Sequence, residues 1–187
     1  TVVFPAKTMI AAAMNPCKCG FFPDLGKCRC TPTQIRRYLN RVSGPFLDRI
    51  DIGVEVPRQD LGMMAAEKSI DEGSFPQTEQ RNSSAVMRAR VMEARARQEK
   101  RFADESISYN SQMTRRQIEE YCRLSGEDAV FLEKVERQQG ISARGHGKIL
   151  KVARTLADLD GQAEIGRTQL AEAIGFRSFE KKYWGSL

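Results

Sequence analysis

Two stretches of the chain alternate or run apolar on the short length scale of a strand. Ile50, Ile52, Val54 and Val56 alternate with Asp51, Gly53 and Glu55 before Pro57, a period of two that predicts a strand. Lys7 to Met14 is a short apolar run closed by Asn15-Pro16, which predicts a fully buried strand because a helix needs more length. Between them Thr31-Pro32 supplies an N-cap and a first helical residue for a helix over Gln34 to Val42. Beyond residue 84 the spacing becomes helical. Met87, Val91 and Ala94 share one stripe of a helix over Ala85 to Phe102. Thr114 to Gln117 has capping-box spacing, and Ser125 precedes Glu127 and Asp128 as an N-cap precedes first-turn acids. Ser142 opens the longest pattern, in which Ile149, Val152, Ala153, Leu156 and Ala157 share a face before Gly161 ends it. A last helix is expected near Thr168 to Ile174.

These elements predict an α/β remnant in residues 1–57, a linker over 58–83 and a mainly α-helical unit over 84–187, α-rich as a whole. The linker is placed where Gly, Ser, Pro, Asp and Gln accumulate with few periodic apolar residues.

Composition narrows the class. In 187 residues, 41% are hydrophobic and 29% charged, enough apolar mass for a packed core and against wholesale disorder. The longest strictly apolar run, Met9 to Met14, is far below the roughly 20 residues of a spanning helix, so no membrane crossing is expected. Lys plus Arg outnumber Asp plus Glu by 30 to 24, a net charge of +6, which permits a polyanionic partner without demanding one. The N-terminal Thr1-Val2-Val3-Phe4-Pro5 has neither an initiator Met nor a basic-then-apolar leader, and it reads as a cut inside a longer protein.

Four of the five cysteines crowd into Cys17-x-Cys19 and Cys28-x-Cys30, with Cys122 far away. An odd count with one tight cluster fits a metal site in a reducing cytoplasm better than a disulfide framework. Two pairs of soft ligands suit tetrahedral zinc, and Gly20 and Gly26 let the intervening chain fold back. A closed four-cysteine site has no place for water, so such a zinc is structural; unmetallated thiols or a redox pair are the alternatives. Cys122 is expected to be an ordinary half-buried thiol.

Residues 11–20, Ala-Ala-Ala-Met-Asn-Pro-Cys-Lys-Cys-Gly, form the first of three separated blocks. Residues 41–52, Arg-Val-Ser-Gly-Pro-Phe-Leu-Asp-Arg-Ile-Asp-Ile, form the second, and Ser142 to Gly145 with Ile149 to Leu159 the third. Together they resemble the magnesium-chelatase-like AAA+ ATPases of the ComM/YifB type, over almost the whole chain. The resemblance implies that the chain runs from the end of the presensor hairpin through the lid, with the Walker segments upstream. Gly20 to Lys27 has five residues between its terminal glycines and Cys28 where Ser or Thr should follow, so it is not a P-loop.

The resemblance also assigns roles. Asn15 matches sensor 1, which positions the attacking water or touches the γ-phosphate; taken alone, Asn-Pro only ends a strand. Arg49 matches the arginine finger that reaches a neighbouring subunit's nucleotide, where the local default is a salt bridge with Asp48 or Asp51. Arg144 matches sensor 2, and a cation at a helix start is unfavourable unless an anion is near. The chain departs from the family pattern at Lys18, where Pro is usual, and at His146-Gly147-Lys148, where Tyr-His-Arg is usual; His146 is expected at the surface.

The function so implied is a cytoplasmic, ring-forming, hexameric ATPase that uses ATP and magnesium to remodel DNA, as branch-migration helicases linked to natural transformation do. Six Arg or Lys between Arg88 and Arg101 offer a phosphate-binding face, or else a solvated one. The alternatives are an ATPase that remodels a protein partner, like the magnesium chelatase subunit itself, and a free-standing zinc-bearing nucleic-acid adaptor.

Overall fold

The computed structural model describes residues 2–4, 8–56 and 83–185. Nearly all of the expected linker, 58–82, lies outside them, as do Lys7 of the first expected strand and Pro57.

Helices dominate. In chain order they are α1 (Pro32–Leu39), α2 (Gly44–Leu47), α3 (Ser84–Arg101), a 3₁₀ turn (Asn110–Gln112), α4 (Arg115–Tyr121), α5 (Gly126–Gln139), α6 (Ala143–Leu159), α7 (Arg167–Gly175) and α8 (Ser178–Trp184). Local chemistry sets most starts. Thr31 and Thr114 form capping boxes with Gln34 and Gln117, while Ser83, Ser125 and Ser142 each accept a first-turn N–H. At its far end α5 stops on Gly140, whose φ of +68° is the left-handed conformation glycine adopts without strain.

Neither expected strand is present among the described residues, and the α/β remnant is therefore not seen. Residues 8–15 form no regular element and are exposed, with Met9 at 93%. A strand needs a neighbour for its backbone groups. Residues 52–56 instead meet the helices: the Gly53 N–H donates to the Phe176 C=O at 2.9 Å. Ile52, Val54 and Val56 remain exposed, so the alternation is real in the sequence and unmatched by a ladder.

The helical core forms around α6. Ile149, Leu150, Ala153 and Ala157 pack with Leu132 of α5, Leu170, Ala173 and Ile174 of α7, and with Phe102, Met113 and Cys122. Cys122 is fully buried rather than half-buried, and burial pushes its thiol up to about 11. On α3 the buried positions are Ala94 and Gln98, whereas Met87 and Val91 stay about half exposed. Of the expected apolar stripe only Ala94 faces inward, because α3 meets α6 largely through polar contacts.

The centre of those contacts is Asp158, fully buried on α6. Arg101 donates to both its oxygens at 2.8 and 2.5 Å, Asn110 Nδ2 donates at 2.8 Å, and Arg154 lies at 3.2 Å. Burial opposes the charge, but hydrogen bonds from Arg101 and Asn110 and the two guanidinium groups outweigh it, holding the carboxyl below its ordinary value. A depressed folded-state pKa contributes stability above the ordinary carboxylate range, and that contribution is lost as pH falls through the folded value. Asp158→Asn leaves two buried cations short of their anion and should cost about 3 kcal/mol. Urea unfolding at neutral pH measures it; a change under about 0.5 kcal/mol would show that the network contributes nothing net.

Candidate functional site

The loop between residues 15 and 31 folds back twice. Gly20 takes φ +79°, and its N–H donates to the Cys17 C=O at 3.1 Å. Asp24 then organises the second reversal, its side chain accepting from the Gly26 N–H and its C=O from the Cys28 N–H. The result brings the four sulfurs of Cys17, Cys19, Cys28 and Cys30 within 4.8 Å of one another. Cys17 Sγ lies 3.3 Å from Cys19 Sγ and 3.8 Å from Cys28 Sγ, and Cys19 lies 3.6 Å from Cys28. Tetrahedral zinc with bonds of about 2.3 Å sets its sulfurs about 3.8 Å apart, so the cluster has the dimensions of a four-thiolate cage.

Its ionisation has the same character. The Phe21 N–H, ahead of other donors, brings Cys19 down to about 6. Cys28 rises to about 12: the Cys30 N–H favours its thiolate, but desolvation and the neighbouring Cys19 and Cys17 outweigh it. Four thiolates at these separations repel unless a cation lies between them, which is what a soft divalent metal supplies.

The cage is part of a second apolar cluster. Cys17, Ile35 and Leu39 are its buried members, with Phe22, Tyr38, Tyr183 and Trp184 packed around them. The Trp184 indole N–H donates to the Leu39 C=O at 3.1 Å. Thus α8, which sequence periodicity missed, leaves the helical core and lies on the cysteine loop.

Asn15 is exposed at the entrance to this loop, its amide lying near Gly20, and is not at the tip of a buried strand. Arg49 is exposed, and among the described residues its guanidinium donates only to the Pro45 C=O, at 2.5 Å. The expected local salt bridge does not form. Asp48 is engaged by Arg144 Nη1 at 2.9 Å and by the Ser142 hydroxyl at 2.9 Å, while Asp51 pairs with Lys148 at 2.7 Å. These contacts, Arg144 first and Ser142 next, hold the Asp48 carboxyl below its ordinary value. The anion that compensates Arg144 at the start of α6 is therefore Asp48 of the same chain. His146 is half exposed and hydrogen-bonded to Glu136 at 2.6 Å. Among the described residues no hydrogen bond joins Asn15 to either arginine.

The basic face of α3 is largely engaged within the chain. Arg90 pairs with Asp160, Arg95 stacks 3.9 Å from the Tyr109 ring centroid, Arg97 donates to the Asp158 C=O and Arg101 to the Asp158 carboxylate. Of the six cations, Arg88 and Lys100 are the exposed ones without such contacts among the described residues.

Residues 1–64 match the family described as magnesium chelatase, subunit ChlI, and residues 81–177 match magnesium chelatase, subunit ChlI C-terminal. The chain is 40% identical over 178 residues to competence protein ComM of Haemophilus influenzae, covering 95% of this chain and 32% of that protein. It is 39% identical over 180 residues to the uncharacterized protein YifB of Escherichia coli, covering 96% of this chain and 33% of that protein. YifB of Salmonella typhimurium is 37% identical over the same length and shares. The chain thus spans about a third of the length of the relatives it matches.

Proposed function

This chain belongs to the magnesium chelatase ChlI family, among its ComM- and YifB-type members, and from that premise we propose that it is the sensor and lid part of a ring-forming, hexameric AAA+ ATPase that remodels DNA in the cytoplasm. The observation that carries this is the state of Arg49. Its flanking acids are both held by α6, and its guanidinium is exposed with no carboxylate partner among the described residues. Such a group suits delivery to a phosphate on a neighbouring subunit.

In this reading ATP with magnesium, bound where one subunit meets the next, supplies the free energy for movement. Arg49 lends its charge across that boundary, Arg144 exchanges Asp48 for a phosphate of its own subunit, and Asn15 presents its amide. Cys17, Cys19, Cys28 and Cys30 hold a structural zinc, for which their spacing supplies the support. The link to DNA is drawn from the likeness to a competence protein.

A protein remodeller is the second reading, and the engagement of Arg90, Arg95, Arg97 and Arg101 inside the chain favours it by removing most of the basic face. A free-standing zinc adaptor has no support in the family match. ATP turnover by the full-length protein, with and without branched duplex DNA, separates the readings. Turnover stimulated by the branched duplex supports the DNA motor; turnover indifferent to DNA favours the protein remodeller; no turnover under either condition removes the ATPase. The 187 residues alone, lacking a P-loop, should show no hydrolysis in the same assay.

A further inference from the structure

The segment carrying Arg49 is gripped from one side by the helical unit at several points. Arg144 and Ser142, at the start of α6, hold the Asp48 carboxylate. One turn further on, Lys148 Nζ donates to the backbone C=O of Arg49 itself at 2.5 Å and to Asp51 Oδ1 at 2.7 Å. Arg177, nearly fully buried, donates to the Ile50 C=O at 2.8 Å. Arg49's own guanidinium bonds the Pro45 C=O and makes no ion pair among the described residues, so its aim depends on the local backbone.

Lys148 differs from the other contacts in what it holds. Its side chain is 16% exposed, against 66% for Asp51, so a packed stem delivers a fixed ammonium to an open loop. An exposed ion pair alone contributes little. Here the same ammonium also bonds the carbonyl of the residue whose side chain must reach outward, and a displacement there is magnified along the length of the arginine.

We infer that Lys148 is a positioning residue for Arg49: it fixes the backbone from which the guanidinium reaches, so that the helical unit and Arg49 move as one body. The inference rests on the reading of Arg49 as a finger. It gives His146-Gly147-Lys148, which departs from the family pattern, a function at Lys148 that the sequence did not suggest.

The test uses the full-length ATPase. Lys148→Met keeps the stem and removes the ammonium; kcat for ATP hydrolysis should fall about tenfold with KM for ATP unchanged, as misplacement of a catalytic group costs rate and not substrate binding. Lys148→Arg should restore most of the rate. Mixed with subunits disabled in their phosphate-binding loop, Lys148→Met should regain activity as an Arg49→Ala subunit does, because both lesions lie on the finger side of an interface. Asp51→Asn, an exposed substitution that leaves the packing alone, should lower kcat in the same direction by a smaller factor. Unchanged kcat in Lys148→Met and Asp51→Asn, or a loss that raises KM and is not complemented in mixed rings, would overturn the inference. Arg49→Ala run alongside keeps the two ideas apart: if that variant retains full turnover the finger reading falls, whereas if it is inactive while the Lys148 and Asp51 variants are normal, only the positioning role falls.

Discussion

Removing the zinc proposed for the cysteine loop is expected to free α8 and to cost on the order of 10 kcal/mol of local folding free energy. Of the buried members of its apolar cluster the loop contributes Cys17, and α1 contributes Ile35 and Leu39, too little to hold two reversals of chain by hydrophobic burial alone. Its order is therefore expected to depend on the proposed zinc. Trp184, the single tryptophan, rests on this cluster and is tied to the Leu39 C=O, so its emission reports the loop. Chelation, or Cys17→Ser with Cys28→Ser, should shift Trp184 emission to the red. Most helical circular dichroism should survive, because the cluster around Leu132, Ile149 and Leu170 does not include the cysteine loop. Elemental analysis of replete protein should give one zinc per chain. Unaltered emission and melting after complete metal removal would show that the four sulfurs converge without needing an ion.

What the sequence revealed and what it hid divide by distance along the chain. The cysteine cage was legible because its ligands are few, chemically distinctive and within fourteen positions, Cys17 to Cys30. Helix starts at Thr31, Thr114, Ser125 and Ser142 were legible because a cap is a bond between residues three apart. The helix α8 was not: its N-cap Arg177 makes no side-chain capping bond, and its seven residues are too short to establish a period.

Long-range polar pairing was hidden for a different reason. Asp48 and Asp51 have Arg49 beside them, yet they bind Arg144 and Lys148, nearly a hundred residues away. The four-residue spacing of Arg144 and Lys148 on one face of α6, facing acids three apart, was the available signal. Similarly, Gln98 is buried on α3 because its side-chain oxygen accepts the Asn110 N–H, and Asp158 is buried because Arg101 and Arg154 converge on it. Hydrophobic periodicity registers such positions as surface. The alternation of Ile52, Val54 and Val56 failed in the opposite sense, since a period of two states which face a residue takes and not whether a second strand lies beside it.

Arg49→Ala in the full-length protein should reduce ATP turnover by about 10³-fold or more while leaving nucleotide binding nearly intact. The structure makes this a clean substitution. The Arg49 side chain is exposed, bonds only the Pro45 C=O among the described residues and takes no part in holding Asp48 or Asp51, so its removal should change folding stability by no more than about 0.5 kcal/mol. A large rate loss in a stable protein then belongs to the chemistry. Rings that mix this variant with one disabled in the phosphate-binding loop contain some interfaces where an intact Arg49 faces an intact nucleotide site, and these should recover part of the activity. If the two variants co-assemble and no activity returns, Arg49 serves the nucleotide of its own subunit, and the exposure seen here reflects a position from which it folds inward.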